Sequence, residues 1–338
     1  MSQEPLSPSS FEPDPSPDNG PEEQVLPFPP RPVLDDQSTN VWVKSLSSLA
    51  LYLVVGYVIF QDWKLLLIIT GIVIFHELGH FLAMKLFDYK ELGIFFIPLL
   101  GAYASGTKHE VSQRQAIIIL LAGPLPGILL GIGMFLFQDH FHHPLLPMTA
   151  TLLLFLNLLN LLPIYPLDGG QILHRLFLDE KNIIGRTFMV LSALFMIWFD
   201  WTYIYPSSLL AFVLLLYFPI NILLRLKTDI DNDKLIKKIE ADGVNLNVDY
   251  EEISDEDYWK MRNVFIRHHP DLKDIPPAPP YQYANREDKV ITTMQGMLQR
   301  LIIMDLRIVE KIAIILLWVG CFAAPMLMHL KINLFQAL

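Results

Sequence analysis

A chain of 338 residues that is 52% hydrophobic, with positive mean hydropathy, is too apolar for a soluble domain of its size. Its formal charge of −10 argues against nucleic acid as a partner, and its one cysteine, Cys321, excludes a disulfide framework and a cysteine-based zinc site. What remains is a membrane protein whose acidic residues collect in the N-terminal tail and around Asp249 to Asp257.

Residues 1–40 are rich in proline, acids and serine and hold a single cation, Arg31. Such a composition buries no core of its own and is expected to form a disordered cytoplasmic tail. It has neither the basic, apolar start of a secretory signal nor the arginine-rich, acid-poor character of a transit peptide. Seven apolar runs follow, at 42–60, 64–84, 115–137, 145–162, 186–205, 207–226 and 308–329, each close to the ~20 residues that cross a bilayer. The cations between them are asymmetric: Arg31, Lys85, Lys90, Lys108, Arg114, Arg175, Lys181, Arg186, Lys227, Lys234, Lys237 and Lys238 fall on one side, and little beyond Lys64 and Lys331 on the other. By the positive-inside rule the N-terminus is cytoplasmic and the C-terminus, after seven crossings, outside. The localisation implied is a multi-pass protein of a bacterial inner membrane.

Between the second and third runs, residues 92–105 read LGIFFIPLLGAYAS, too short and too interrupted by Pro98 and Gly101 to span. A membrane-associated β-hairpin or extended segment is expected there. Residues 227–305 form an acidic cytoplasmic segment in which PPAPP at 276–280 marks a linker or stop and Val290 to Asp305 a helix leading into the C-terminal span, 306–338. The fold class expected is an all-α polytopic membrane protein of six to seven transmembrane helices, with that hairpin and a small cytoplasmic segment.

Within the second run lies His76-Glu77-Leu78-Gly79-His80. Histidines four residues apart share a helix face, so both imidazoles can reach one Zn²⁺ with the glutamate beside the metal's water. Three ionisable groups in hydrocarbon are costly enough to mark a function. His76 lies ~18 Å along its span at ~1.5 Å per residue, past the midplane and nearer the cytoplasm. A third ligand must then come from a cytoplasm-facing end. The fourth span supplies one: beyond it come Asn160, Pro163, Pro166 and Asp168-Gly169-Gly170. Asp168 is the candidate third metal ligand and Glu77 the candidate general base. Non-helical backbone at that depth is tolerated where it lines a cavity, and Asn160 there is a candidate catalytic donor to an oxyanion or substrate backbone, or else an interhelical hydrogen-bonding residue; Asn157 suits the latter better.

Gly123, Gly127 and Gly131, at four-residue spacing, are expected to let the third span pack closely, with Pro124 and Pro126 kinking its start. His140, His142 and His143 fall in an outside loop, away from Asp168, and read as solvated; His109, His268 and His269 read as surface residues.

The pairing of HELGH in an early span with NxxPxxPLDGG after a later one resembles the site-2 protease family of intramembrane zinc metalloproteases. The resemblance covers roughly residues 50–226 and includes Gly123-Pro124. It implies zinc held by His76, His80 and Asp168, Glu77 as catalytic base, and a protease core over residues 41–226 of six spans. It also implies a membrane-protein substrate cut in or near its own transmembrane helix, within the lipid bilayer. Residues 92–105 would offer an edge strand to an unwound substrate. Residues 227–330 have no counterpart in that resemblance, and no PDZ or CBS domain is evident. The competing readings are a membrane-anchored metallopeptidase with a glutamate as third ligand, for which no suitably placed residue follows, and a non-proteolytic metal-binding scaffold or transporter. The sequence sets no oligomeric state.

Overall fold

A computed structural model of the chain describes residues 28–32, 40–98, 101–108, 111–138, 140, 143–177, 183–244, 246, 250–268, 272, 274–298 and 302–328. Most of the tail, His109, His142 and His269 lie outside the described residues. The first helices are α1 (Val41–Phe60) and α2 (Trp63–Leu86), the second started by Asp62, whose carboxylate accepts from the N–H groups of Lys64 at 2.8 Å and Leu65 at 3.3 Å. A hairpin follows, β1 (Lys90–Ile97) paired antiparallel with β2 (Gly101–Thr107) in a register that sets Ile94 opposite Ala104. The extended segment expected from its aromatic and β-branched residues is therefore present.

The third span is two helices, α3 (Gln113–Ala122) and α4 (Pro124–Phe137), preceded by the short strand β3 (Val111–Ser112). Proline at the first position of α4 can neither continue the hydrogen-bond ladder nor tolerate the preceding turn, so the break falls at Gly123. Next come α5 (Leu146–Asn160), α6 (Asp168–Phe177) and α7 (Ile183–Phe199), which ends in a π-helical turn over Asp200–Ile204. The fourth run is thus a 15-residue helix rather than the full stretch to 162, because Pro163 and Pro166 leave no ladder to extend. The amphipathic α6 was not evident from the sequence. The sixth span is α8 (Leu209–Leu215) joined at Leu216 to α9 (Tyr217–Ala241), which runs on past the apolar stretch.

Six helical segments among the described residues are long and apolar enough to cross a membrane, α5 being shorter, and the molecule is a multi-pass membrane protein. Outward faces are apolar, with Leu210, Ile183, Leu224 and Leu316 exposed, as lipid contact requires. Trp198, Trp201, Tyr203 and Tyr205 cluster where α7 ends, the place of an interfacial aromatic belt. α2 runs at the centre, flanked by α1, the hairpin, α3, α4 and α5.

Beyond α9 the acidic segment builds its own core from α10 (Asp255–His268) and α11 (Glu287–Leu298), with Tyr258, Trp259, Phe265 and Met294 buried. Two expectations change here. Helix α11 ends at Leu298, and the chain then forms β4 (Ile302–Ile303), parallel to β3; Asp305 accepts from Ser112 Oγ at 2.6 Å and from the Arg114 N–H at 3.0 Å, so its carboxylate serves the start of α3. The prolines at 276–280 are packed rather than free: Ala278 is buried and bonds Asn263 through both its N–H and its carbonyl. A third difference concerns the tail, where residues 28–32 lie against this core. The last helix, α12 (Ile308–Leu327), packs on α4, and the Trp318 indole donates to the carbonyl of Leu161 at 2.9 Å.

The core of α10 and α11 contains one ion pair. Arg262 is fully buried and grips Glu287 through Nε and Nη2, while its remaining donors reach the carbonyls of Pro276 at 3.2 Å and Gln282 at 3.3 Å. Burial raises the Glu287 carboxyl, but the bonds from Arg262, Tyr258 and the Ala284 N–H outweigh it and hold it below the usual glutamate value. Removing the anion strands a buried cation, so Glu287→Ala should destabilise this body by ~3–5 kcal/mol, measured by denaturant unfolding followed through its tryptophan. Because the folded carboxyl titrates lower than the unfolded one at ~4.3, the pair's contribution is present above that pH and fades as pH falls through the folded value.

Candidate metal centre

Two segments far apart in sequence, α2 and the start of α6, bring His76, His80 and Asp168 together. The histidines lie on one face of α2, and all three side chains are buried. The two Nε2 atoms are 3.1 Å apart, and Asp168 Oδ2 lies 3.1 Å from His76 Nε2 and 3.4 Å from His80 Nε2. Among the described residues these three form a group able to hold a metal ion.

The outer ring nitrogens settle the tautomers. His80 Nδ1 lies 2.7 Å from the Ile119 carbonyl, which can only accept, so Nδ1 carries the proton. His76 Nδ1 lies 2.8 Å from Asn157 Oδ1, while Asn157 Nδ2 donates to the Leu153 carbonyl at 2.7 Å. The amide is thereby oriented with its oxygen toward the ring, and His76 Nδ1 is also the donor. In the neutral rings both Nε2 atoms then present lone pairs to the same point as a carboxylate oxygen. Asp168 Oδ2 is buried and has no hydrogen-bond partner. Three converging acceptors with no donor between them are what a cation would satisfy.

Glycine makes the approach possible. A Cβ on Gly123 would fall 2.3 Å from His80 Nε2, one on Gly79 would fall 1.9 Å from the Ala122 carbonyl oxygen, and one on Gly127 would fall 2.2 Å from Asn157 Nδ2. The close packing expected of the 123–127–131 series is real, and its object is specific: the break between α3 and α4 lies directly over the histidine pair.

Asp168 opens α6 after a non-helical stretch, 161–167. Its polar backbone is satisfied locally and by side chains, with the Tyr165 N–H donating to Ser192 Oγ at 3.2 Å, Gln171 Nε2 to the Pro166 carbonyl at 2.9 Å, and Trp318 Nε1 to that of Leu161. Gly169 and Gly170 allow α6 to start against that stretch, since a Cβ at either would fall within 2.3 Å of a main-chain atom of Leu161 or Ile164.

Glu77 is buried beside the group, its Oε2 without a partner. The backbone N–H of Ala104 on β2 faces the same carboxylate. A cavity of about 700 Å³ opens over these residues and is lined by Tyr103 and Ala104 of the hairpin, by Asn160 and Gln171, and by Phe218. Asn160 therefore borders the cavity, while Asn157 orients a histidine. Of the sites weighed from the sequence, His76, Glu77, His80, Asp168 and Asn160 converge. His140 and His143 are exposed on the connection before α5, and His268 bonds the Val264 carbonyl of its own helix at 2.8 Å. The interhelical hydrogen bond expected of Asn157 is present; that its partner is a metal-competent histidine was not evident from the sequence. The signal at Asn157 was its place, in a run of leucines three residues before Asn160.

These features define a multi-pass membrane protein with a buried, metal-competent His-His-Asp group beside a glutamate whose Oε2 has no partner. Residues 64–142 match the family model described as Peptidase family M50. The match includes HELGH and the glycine series and ends before Asp168. The chain is 31% identical over 148 residues to a zinc metalloprotease of Methanocaldococcus jannaschii, covering 41% of this chain and 43% of that one. It is 33% identical over 122 residues to the stage IV sporulation protein FB of Bacillus subtilis, covering 34% and 40%. The chain thus spans less than half the length of these curated relatives. Among solved structures it is similar to a site-2 protease from Methanocaldococcus jannaschii, with 22% identity, a TM-score of 0.39, and coverage of 53% of this chain and 87% of that one.

Replacing Asn157 with leucine removes the acceptor that holds His76 Nδ1–H without changing a ligating atom. Asn157→Leu should weaken metal retention ~10–100-fold, measured by chelator competition on the purified protein.

Proposed function

We propose that this chain is an intramembrane zinc metalloprotease that hydrolyses peptide bonds in or near the transmembrane helices of membrane-protein substrates. The observation that carries the reading is the buried convergence of three acceptors, His76 Nε2, His80 Nε2 and Asp168 Oδ2, next to the bare carboxylate oxygen of Glu77. Zinc at ~2.0–2.1 Å from tetrahedral nitrogen and oxygen ligands sets those atoms ~3.3 Å apart, and the three separations here, 3.1, 3.1 and 3.4 Å, fit. When bound, zinc supplies Lewis acidity and lowers the pKa of a coordinated water.

The chain's own residues do the rest. Asn157 and the Ile119 carbonyl hold the imidazoles so that neither Nε2 carries a proton. Glu77 takes a proton at Oε2 from the attacking water and delivers it to the leaving amine. Asn160, on the cavity wall, donates to the oxyanion or to the substrate backbone. A transmembrane helix hides its peptide bonds and must be locally unwound before attack. The β2 edge is suited to receive it: β2 pairs with β1 on one side only among the described residues, and its Ala104 N–H points to the Glu77 side. An extended substrate strand added there would run beside the base.

We further infer a cytoplasmic N-terminus in a bacterial inner membrane, from the cation asymmetry. The contact of residues 28–32 with the body after α9 agrees with it, since six crossings separate them and return the chain to its starting side. On this reading residues 41–226 are the protease core and 227–305 a cytoplasmic appendage.

Glu77→Gln tests the reading directly. Cleavage of a co-expressed single-span substrate should fall at least ~10²–10⁴-fold with zinc content unchanged; retained cleavage would refute the assigned base. Membrane proteomics of the same variant should reveal accumulating single-span proteins.

The strand-addition step has its own test. Ala102 lies two residues from Ala104, so its N–H shares the cavity-facing edge, where proline removes a donor without touching the β1 ladder. Ala102→Pro should lower cleavage of a transmembrane substrate at least tenfold while metal content stays constant. Unchanged activity would sink the idea.

A further inference from the structure

The body after α9 carries an aromatic face that its own core does not use up. Trp259 stacks on Tyr283, with centroids 5.5 Å apart and planes at 24°, and meets Tyr281 edge-on at 5.3 Å; Tyr250 connects to Trp259 through Tyr258, which meets both rings edge-on. Tyr281 and Tyr283 remain 37% and 47% exposed even with a segment seated beside them, so the face is reachable from solvent.

The seated segment is Phe28-Pro29-Pro30-Arg31-Pro32. Proline has no N–H, and an extended proline-rich strand makes no internal hydrogen bonds, so its carbonyls need outside donors. Three find them on this face: Pro29 from Trp259 Nε1 at 2.9 Å, Pro30 from the Tyr283 hydroxyl, and Pro32 from the Tyr250 hydroxyl at 2.7 Å. The Arg31 N–H donates to Asp255 Oδ1 at 2.7 Å. Its guanidinium donates to the carbonyls of Tyr250 and Ile253 and lies 5.7 Å from the centre of the Tyr250 ring. Phe28 packs edge-on to Tyr281 at 5.3 Å.

We propose that this face is a recognition site for proline-rich segments bearing an arginine, occupied in cis by residues 28–32 and open to a competing segment of the same chemistry. Aromatic donors spaced along successive proline carbonyls read a polyproline strand, and the fixed φ of proline keeps the ordering cost low. The charge pattern agrees, because Arg31 is the sole lysine or arginine in the first 40 residues and it docks where Asp255 and main-chain carbonyls gather. The five residues are held by side-chain tips and not by a sheet ladder, which suits exchange. A cis segment on a short tether acts at an effective concentration of order millimolar, so a competitor must outbid it and the wild-type site reads as partly closed.

The test uses the full chain in nanodiscs and a fluorescent peptide of residues 25–34, with binding read by anisotropy. A chain carrying Pro29→Ala, Pro30→Ala and Arg31→Ala should bind the peptide at least tenfold more tightly than wild type. Adding Tyr250→Phe and Tyr283→Phe, or replacing the peptide's arginine by alanine, should reverse that gain. Equal affinity for wild type and tail variant, or no saturable binding to a tail variant whose thermal unfolding matches wild type, overturns the proposal. Should the tail variant fail to fold, a Pro32→Cys chain on a Cys321→Ser background replaces it. Saturating peptide should raise its maleimide labelling rate severalfold, and an unchanged rate overturns the proposal equally.

Discussion

Each imidazole on α2 must give one ring nitrogen to the protein before the other can face the cavity, and the rest of the centre follows from how that is done. In lipid there is no water to take the Nδ1 protons. They go instead to the Ile119 carbonyl and to Asn157, one at 2.7 Å and the other at 2.8 Å. The first acceptor lies one turn before the end of α3 and the second on α5, so α2 is pinned from two directions. Hydrocarbon offers helices no hydrophobic reason to associate, and close contact then depends on small residues. Gly79, Gly123 and Gly127 serve that need here, each meeting a neighbour nearer than any side chain would permit.

The membrane part was legible because lipid leaves few options. A backbone that must satisfy itself becomes helix, so apolar run length sets the spans, and the seven runs correspond to α1, α2, α3 with α4, α5, α7, α8 with α9, and α12. The metal-competent residues were legible because ionisable groups are so out of place in such runs. What escaped was encoded by partners distant in sequence. Asn157 reads as an interhelical hydrogen-bonding residue, but its partner, His76, lies 81 positions earlier. Helix α6 begins with two glycines, which argue for a turn; its start depends on the stretch 161–167 against which those glycines close. The end of α11 was misread since Asp305 continues a helical pattern locally but serves α3 across 193 residues. Composition said that the tail cannot form a core, which is correct; it could not say that five of its residues borrow one.

The aspartate is held differently from the histidines. Its neighbourhood is non-helical backbone, stabilised by Ser192 of α7, Gln171 of α6 and Trp318 of α12. All three lie beyond the fourth span, and Trp318 comes from a helix with no counterpart in the sequence resemblance. The centre therefore divides into a histidine pair carried by the segment that matches Peptidase family M50 and held from α3 and α5, and an aspartate half that depends on the chain's later helices. On the proposed reading a His-His pair alone would present two neutral ligands, and the Asp168 carboxylate would bring the charge that holds a dication. Helices α7 and α12 thus bear on the position of Asp168, although neither contributes a residue to the cavity wall.

The same division bears on the hairpin. β1 lies against α1 and β2 against α2, so the hairpin is wedged between the first helix and the helix that carries Glu77. Helix α1 follows directly on the tail whose residues 28–32 sit on the body beyond α9. The connection 33–40 spans at most ~28 Å when fully extended, which confines that body to the neighbourhood of the start of α1. Burial on α1 is confined to Ser45, Tyr52 and Gly56; Ser48 Oγ accepts from the Phe96 N–H at 3.0 Å, and Tyr52 meets the Phe96 ring. These contacts fix the back of the hairpin, on the side away from the cavity. The hairpin thus links α1 to the Ala104 N–H that faces Glu77, whereas the histidines are pinned separately from α3 and α5.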